Sequence, residues 1–317
     1  MAGLTVSGHG TIVVTPRSLS ADGHPALGRL TAAGYDLVFP SPGRVPKPEE
    51  LRAALPSAVG YLAGTERIDR ATLAAAPSLR VIARNGIGTD GVDLAAAAEA
   101  GVRVETAAGA NAQGVAELAI GLLLTAARRI PWHDHALKLD GWTRSIGLET
   151  NGRTLGVVGC GQIGRRVSRM ALGLGMRVIA FDAYPDSGFA PGDGFEWVDL
   201  DRLLAESDAV TLHAPPAPEG PLIGGNELAR LRTGAILVNT ARASLVDLDA
   251  VWEAVREGRL WSYATDVFDT EPPAPHPLYE HERVIVTPHL GGYTEESVDR
   301  AAEAAVDNII RVLDAPR

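Results

Sequence analysis

From residue 11 onward, short β-branched runs alternate with Ala- and Leu-rich stretches of helical length, and this alternation constrains the fold more than any other feature. Strands are predicted at Thr11–Thr15, Asp36–Phe39, Ala58–Ala63, Arg80–Ala83 and Val102–Glu105, followed by a helical block over Ala112–Leu139. A second series is predicted at Thr154–Val158, Arg177–Phe181, Ala209–Leu212, Ala235–Asn239, Ser262–Asp266 and Val284–Thr287. Strands separated by helices pair in parallel, because a parallel crossover needs a connection of helical length. The second-series strands are almost unbroken apolar runs, as expected when helices cover both faces of a sheet. Two such series in 317 residues predict an α/β fold of two parallel-sheet domains, Rossmann-like or flavodoxin-like, with a cleft between them. The predicted division is 1–108 completed by 288–317, and an inserted domain over 109–287. The final helix, Thr294–Leu313, has no strand after it and is expected to pack back on the first domain.

Leu155–Gly164 reads as a strand, a tight turn and a helix start, with glycines at 159, 161 and 164. In that pattern Gly159 permits the turn, Gly161 lets backbone approach a pyrophosphate, and Gly164 lets the helix pack on the strand. The helix start then offers free N–H groups and the positive end of its dipole to phosphate. The next strand ends in Asp182, 18 residues beyond Gly164. A carboxylate there accepts from ribose hydroxyls and repels a 2′-phosphate, so the cofactor predicted is NAD.

Net charge and composition remove other classes. At −10 the chain repels nucleic acid and anionic lipid. Its single cysteine, Cys160, allows no disulfide within the chain and no cysteine-based zinc site, and is expected to be a small buried filler. His133 and His135 do not share a helix face, so no metal is predicted. The longest apolar stretch, Leu118–Ala127, is about half of what a bilayer needs. Met1–Pro16 lacks the pattern of a signal peptide, and the expected location is the cytoplasm.

Charged residues gather at predicted strand ends of the second domain, where open α/β sheets bind ligands. Arg242 follows Asn239-Thr240-Ala241, Asp266 and Glu271 lie at and beyond the end of the predicted strand Ser262–Asp266, and His289 follows Thr287-Pro288. Reducing a 2-keto acid requires a held carboxylate, a polarised carbonyl oxygen and a proton. A guanidinium suits the first two tasks and an imidazole the third.

These segments, with Arg84–Asp90, Asn111–Glu117 and the glycine-rich turn, make the chain resemble the D-isomer-specific 2-hydroxyacid dehydrogenases over nearly its whole length. The resemblance implies an NAD-dependent oxidoreductase acting on a small 2-hydroxy or 2-keto acid, of phosphoglycerate or glycerate/hydroxypyruvate type. It implies catalytic roles for Arg242, Glu271 and His289: His289 would exchange the proton, Glu271 would support it, and Arg242 would hold the carboxylate and the carbonyl oxygen. It maps cofactor contacts to Gly159, Gly161, Gln162, Ile163, Gly164, Asp182, His213, Thr240, Ala241, Asp266 and Gly291, with Asp266 accepting from the nicotinamide carboxamide. His213 reads equally well as a locally bonded structural histidine. Substrate would be cradled by backbone N–H groups of Asn85 and Gly86, with Asn111 nearby and Arg242 opposite. A homodimer is expected.

Three departures are visible. Leu62 stands where phosphoglycerate-specific members carry a phosphate-binding arginine, a role left to Arg84 or Arg67. Ala243-Ser244 replaces two glycines after Arg242, and Gly91 replaces an asparagine. The sequence ends just after the last predicted helix, so no regulatory domain and no serine control through one are expected. Two other functions fit the same pattern: an NAD(H)-sensing, non-enzymatic scaffold of corepressor type, and phosphite oxidation, for which the Leu62 region lacks positive charge.

Overall fold

The structure is a computed structural model that describes residues 9–139, 141–216 and 219–315. Residues 1–8, part of the stretch read for a signal peptide, lie outside the described residues. The fold resolves into two compact units, one within Met1–Asn111 and Gly292–Arg317, the other Ala112–Gly291.

Among the described residues, the first unit holds five parallel strands: β1 (Thr11–Val14), β2 (Asp36–Val38), β3 (Ala58–Ala63), β4 (Val81–Arg84) and β5 (Arg103–Thr106). Their order is β2-β1-β3-β4-β5, the flavodoxin-like arrangement. One face of the sheet packs against helix Glu295–Asp314, whose apolar residues recur at helical spacing. There Ala302, Ala305, Val306 and Ile309 meet Ile12, Val14, Leu62 and Ala83. Thr294 caps this helix by accepting from Ser297 N at 3.1 Å. At its far end the Arg80 guanidinium donates to the carbonyls of Val312, Leu313 and Ala315, groups that have no acceptor role left inside the helix.

Leu62 is completely buried in this core, in register with Val14 and Ala83. Leu62 is thus a core residue and supplies no charge for a phosphate. Side chains alternate across a strand, and the tip of β3 is formed by Ala63 and Gly64.

Among the described residues, the second unit holds seven parallel strands: β6 (Thr154–Val158), β7 (Arg177–Phe181), β8 (Phe195–Trp197), β9 (Ala209–Leu212), β10 (Ala235–Asn239), β11 (Leu260–Thr265) and β12 (Val284–Val286). The order is β12-β11-β10-β9-β6-β7-β8, so the chain reverses direction across the sheet between β6 and β9. This is the Rossmann order with one strand added at the edge, and the reversal is where such sheets bind dinucleotides. Strand β8 is not among the predicted strands. Its three residues carry too little periodicity to register in sequence, and it exists through pairing with β7.

The predicted helical block over Ala112–Leu139 is two helices, Ala112–Arg128 and Ile130–Lys138. Pro131 has no N–H and its ring excludes a helical carbonyl four residues back, so the helix breaks. The freed carbonyl of Ala127 accepts from Leu148 N at 2.8 Å, and Arg129 turns left-handed at φ 52°. The first of these helices is buried against the sheet through Ala119, Leu122, Leu123 and Ala126.

Candidate active site

The glycine-rich turn joins β6 to helix Gln162–Gly173. Gly159 has φ +85°, and a Cβ on it would lie 2.5 Å from Ala214 N. A Cβ on Gly164 would strike the Gly159 carbonyl. The fold itself therefore requires both glycines. A Cβ on Gly161 would meet nothing within 4 Å, so packing gives no reason for that glycine, whereas a ligand lying on the backbone does. The helix has no side-chain cap, which leaves the amides of its first turn, including Gln162 and Ile163, to an outside acceptor.

Asp182 lies beside the turn. Its Oδ2 accepts from Cys160 N at 2.8 Å and its Oδ1 from Tyr184 N at 2.9 Å, and a carboxylate so held has lone pairs to spare for hydroxyl donors. Two buried polar atoms near the sheet's reversal point have no hydrogen-bond partner: His213 Nδ1, after β9, and Thr240 Oγ1, after β10. Unpaired buried polar groups are costly unless a ligand or water completes them. The imidazole of His213 is bonded through Nε2 to Thr211 Oγ1 at 2.9 Å, and burial pushes its pKa down to about 3, so it is a neutral group. Free first-turn amides, an open glycine, a carboxylate at the ribose position and two unpaired polar atoms fit a bound dinucleotide. Cys160 is 2% exposed and burial pushes its thiol up to about 11, which makes it an inert filler.

The chemistry-bearing side chains leave the tips of three adjacent strands. Asn239 of β10 is in register with Thr265 of β11, and Thr265 with Val286 of β12. Neighbouring strands are about 4.8 Å apart, so residues just past these tips start within about 10 Å of one another. Beyond β12, His289 Nδ1 bonds both carboxylate oxygens of Glu271, at 2.8 and 2.9 Å. Both side chains are about half exposed. Beyond β10, buried Asn239 shapes the turn that carries Arg242: its Nδ2 donates to the Arg242 carbonyl at 2.8 Å and its Oδ1 accepts from Ala241 N at 3.1 Å. The N–H of Ala241 is thus spent within the turn.

Asp266, 1% exposed, has a role the sequence did not reveal. Its Oδ1 accepts from Thr287 Oγ1 at 2.6 Å and Leu290 N at 2.7 Å, and its Oδ2 from Gly291 N at 2.8 Å. The loop 287–291 wraps this carboxylate and carries His289 at its apex in the left-handed region, φ 53°. Gly291 is tightly placed, since a Cβ would lie 3.1 Å from Val115 and 3.2 Å from Asp266 Oδ2 and would need both to give way. One lone pair of Oδ2 remains for a further donor.

In the first unit, Asn85 N donates to Ala63 O at 2.9 Å, extending the β3–β4 ladder. This corrects the expected pair of cradling N–H groups: among the described residues Gly86 offers a free N–H, and Asn85 offers its buried, unpaired Oδ1. Asn111 Oδ1 is likewise buried and unpaired. Arg84 is 8% exposed and donates through Nε to Gly88 O at 3.0 Å and through Nη1 to Gly64 O, so it braces backbone in place of presenting charge. His276 and His281 have local roles, accepting from Leu278 N and Arg283 N. Among the described residues no group of His, Cys, Asp and Glu is placed to hold a metal, and no helix is long and apolar enough to cross a membrane.

Residues 120–291 match the NAD binding domain of the D-isomer specific 2-hydroxyacid dehydrogenases. The chain belongs to that family. It is 41% identical to the D-3-phosphoglycerate dehydrogenase of Mycobacterium tuberculosis over 268 residues, which are 83% of this chain and 51% of that protein. It therefore spans about half the length of the curated phosphoglycerate dehydrogenases it matches. It is 39% identical to the hydroxypyruvate reductase of Thermotoga maritima over 246 residues, 75% of this chain and 79% of that one. A solved structure of a protein from Thermus thermophilus superposes with a TM-score of 0.86 at 38% identity, covering 96% of this chain and 97% of that one. The family's NAD-binding domain coincides with the unit whose turn, carboxylate and unpaired atoms fit a dinucleotide.

Proposed function

We propose that the protein is an NAD-dependent D-2-hydroxyacid dehydrogenase of phosphoglycerate or glycerate/hydroxypyruvate type. The observation that carries this reading is the Glu271–His289 pair at the tip of β12, with the nicotinamide-binding family fold beneath it. By accepting at Nδ1, Glu271 orients the imidazole and leaves Nε2 to exchange a proton with the oxygen on C2. Arg242 would hold the substrate carboxylate and polarise the keto oxygen through its fixed charge. In the first unit, the free N–H of Gly86 and the side-chain Nδ2 donors of Asn85 and Asn111 are suited to a substrate carboxylate. When bound, NADH supplies the hydride and NAD accepts it. Gln162, Ile163 and Asp182 would hold its phosphates and ribose, and the remaining lone pair of Asp266 suits its carboxamide.

A panel of NADH-consumption assays tests the reading, with glyoxylate, hydroxypyruvate, 3-phosphohydroxypyruvate, pyruvate and bulkier 2-keto acids. Turnover of at least one of them, falling by about two orders of magnitude or more in His289→Ala, is expected for a positioned general acid. Tight NADH binding with no turnover of any would replace it with an NAD(H)-sensing scaffold.

The protein is further proposed to act as a cytoplasmic homodimer. Support for the dimer comes from apolar side chains along 130–146: Ile130, Leu137, Leu139, Trp142 and Ile146 are all exposed, the last two at 82% and 89%.

A further inference from the structure

Asp182 is one wall of a cavity of about 390 Å³ at the carboxyl ends of β7 and β8, which Pro185, Trp197, Asp199 and Arg202 also line. A group attached to the ribose oxygen held by Asp182 would enter this cavity. Arg202 is a guanidinium in the place where a 2′-phosphate would seek one, yet its charge is spent. It donates to both carboxylate oxygens of Glu196, and through Nε to Glu206 Oε1 at 2.7 Å. Arg177, behind it, donates to Glu196 at 2.9 Å and to Glu206 at 2.8 Å. The hydrogen bonds from Arg202 and then Arg177 hold the Glu196 carboxyl below its usual range. Asp182, Asp199 and Arg202 line the cavity, and the Arg177, Glu196 and Glu206 that engage Arg202 lie behind it; together these six carry a net charge of −2.

We infer that Glu196 is a second determinant of NAD over NADP, acting by occupying Arg202. Asp182 repels a 2′-phosphate directly, and Glu196 withholds the cation that would otherwise bind one. Neutralising Asp182 alone leaves the guanidinium in its bidentate grip. Neutralising both carboxylates brings the same count to zero and frees two donors of Arg202. The four-residue network is exposed, and exposed ion pairs contribute little to stability, so removing one member leaves the fold intact. The inference rests on the dinucleotide site and not on the chemistry proposed above, and NADH binding is its internal control.

Dissociation constants of NADH and NADPH, read by nucleotide fluorescence, would be compared for the native protein, Glu196→Gln, Asp182→Asn and the double variant. Glu196→Gln should leave NADH affinity within about twofold. Asp182→Asn should tighten NADPH by a few fold, and the double variant by at least tenfold more than the product of the two single effects, an excess that reports coupling between the two sites. Adding Arg202→Ala to the double variant should erase that excess. A double variant no tighter for NADPH than Asp182→Asn, or a gain that survives Arg202→Ala, overturns the inference. A second comparison avoids any change at Asp182: adenosine 2′,5′-bisphosphate should bind Glu196→Gln several-fold tighter than the native protein, with 5′-AMP unchanged. Equal changes for the two nucleotides would also overturn it.

Discussion

Replacing Asp266 with Asn changes one carboxylate oxygen to an NH₂ at a site 1% exposed, where the native oxygens accept from Thr287 Oγ1, Leu290 N and Gly291 N. If the amide oxygen keeps Thr287 and Leu290, the NH₂ faces the Gly291 N–H, donor against donor. Losing one bond to a charged acceptor costs roughly 1.5–3 kcal/mol, and the two that remain are weakened by loss of the charge. A total of about 3 kcal/mol corresponds to roughly a hundredfold rise in loop opening, at about 1.4 kcal/mol per tenfold. The left-handed backbone of His289 (φ 53°) adds to this, since a side chain there costs on the order of 1 kcal/mol that the clamp offsets. Hydrogen exchange in the protein without cofactor should show the Leu290 and Gly291 amides exchanging about a hundredfold faster, and kcat should fall by about ten- to a hundredfold. Thr287→Val, which removes one donor and no charge, should produce a smaller effect of the same kind. Amides at 290 and 291 that stay protected in Asp266→Asn, with kcat within threefold of native, would refute the clamp and leave Asp266 as a cofactor contact alone.

Two glycines of the same turn should fail differently. Gly159→Ala places a methyl 2.5 Å from backbone at φ +85° and should destabilise the NAD-binding unit by about 3 kcal/mol or more in urea unfolding. Gly161→Ala meets open space and should keep that stability while NADH affinity falls at least tenfold. Because burial lowers the His213 pKa from 6.5 to about 3, the unfolded chain binds a proton that the folded one refuses. Its contribution is therefore full above about pH 6.5 and declines as pH falls, by about 2 kcal/mol between pH 7 and 5. His213→Gln should flatten the acid side of the stability–pH curve by that amount. Trp142→Arg, at an 82% exposed apolar position, should shift the proposed dimer toward monomer in sedimentation velocity, and an unchanged distribution would remove the 130–146 stretch from any interface.

Much of the site was legible because its signals are short and covalent. The spacing of Gly159, Gly161 and Gly164, and the distance to Asp182, follow from how one strand–turn–helix must be built. Arg242, Glu271 and His289 stood out because strand tips are predictable from strands. The misreadings have a common origin. Pro131 divides a helix whose apolar pattern continues past it, and the Asn85 amide is spent on a neighbouring strand's carbonyl. Each depends on which partner a backbone or side-chain group finds, and periodicity does not carry that information.

The amino-acid sequence by itself determined the two-sheet α/β architecture, the dinucleotide turn and the chemical types available to a reaction, because local propensity and apolar period act within a few residues of one another. Tertiary structure decided the rest. It brought Glu271 onto His289, wrapped 287–291 around Asp266, and left His213 and Thr240 each with one buried atom unpaired. These outcomes are set by strand order and by the allocation of hydrogen bonds among distant residues, and both exist only once β10, β11 and β12 lie side by side.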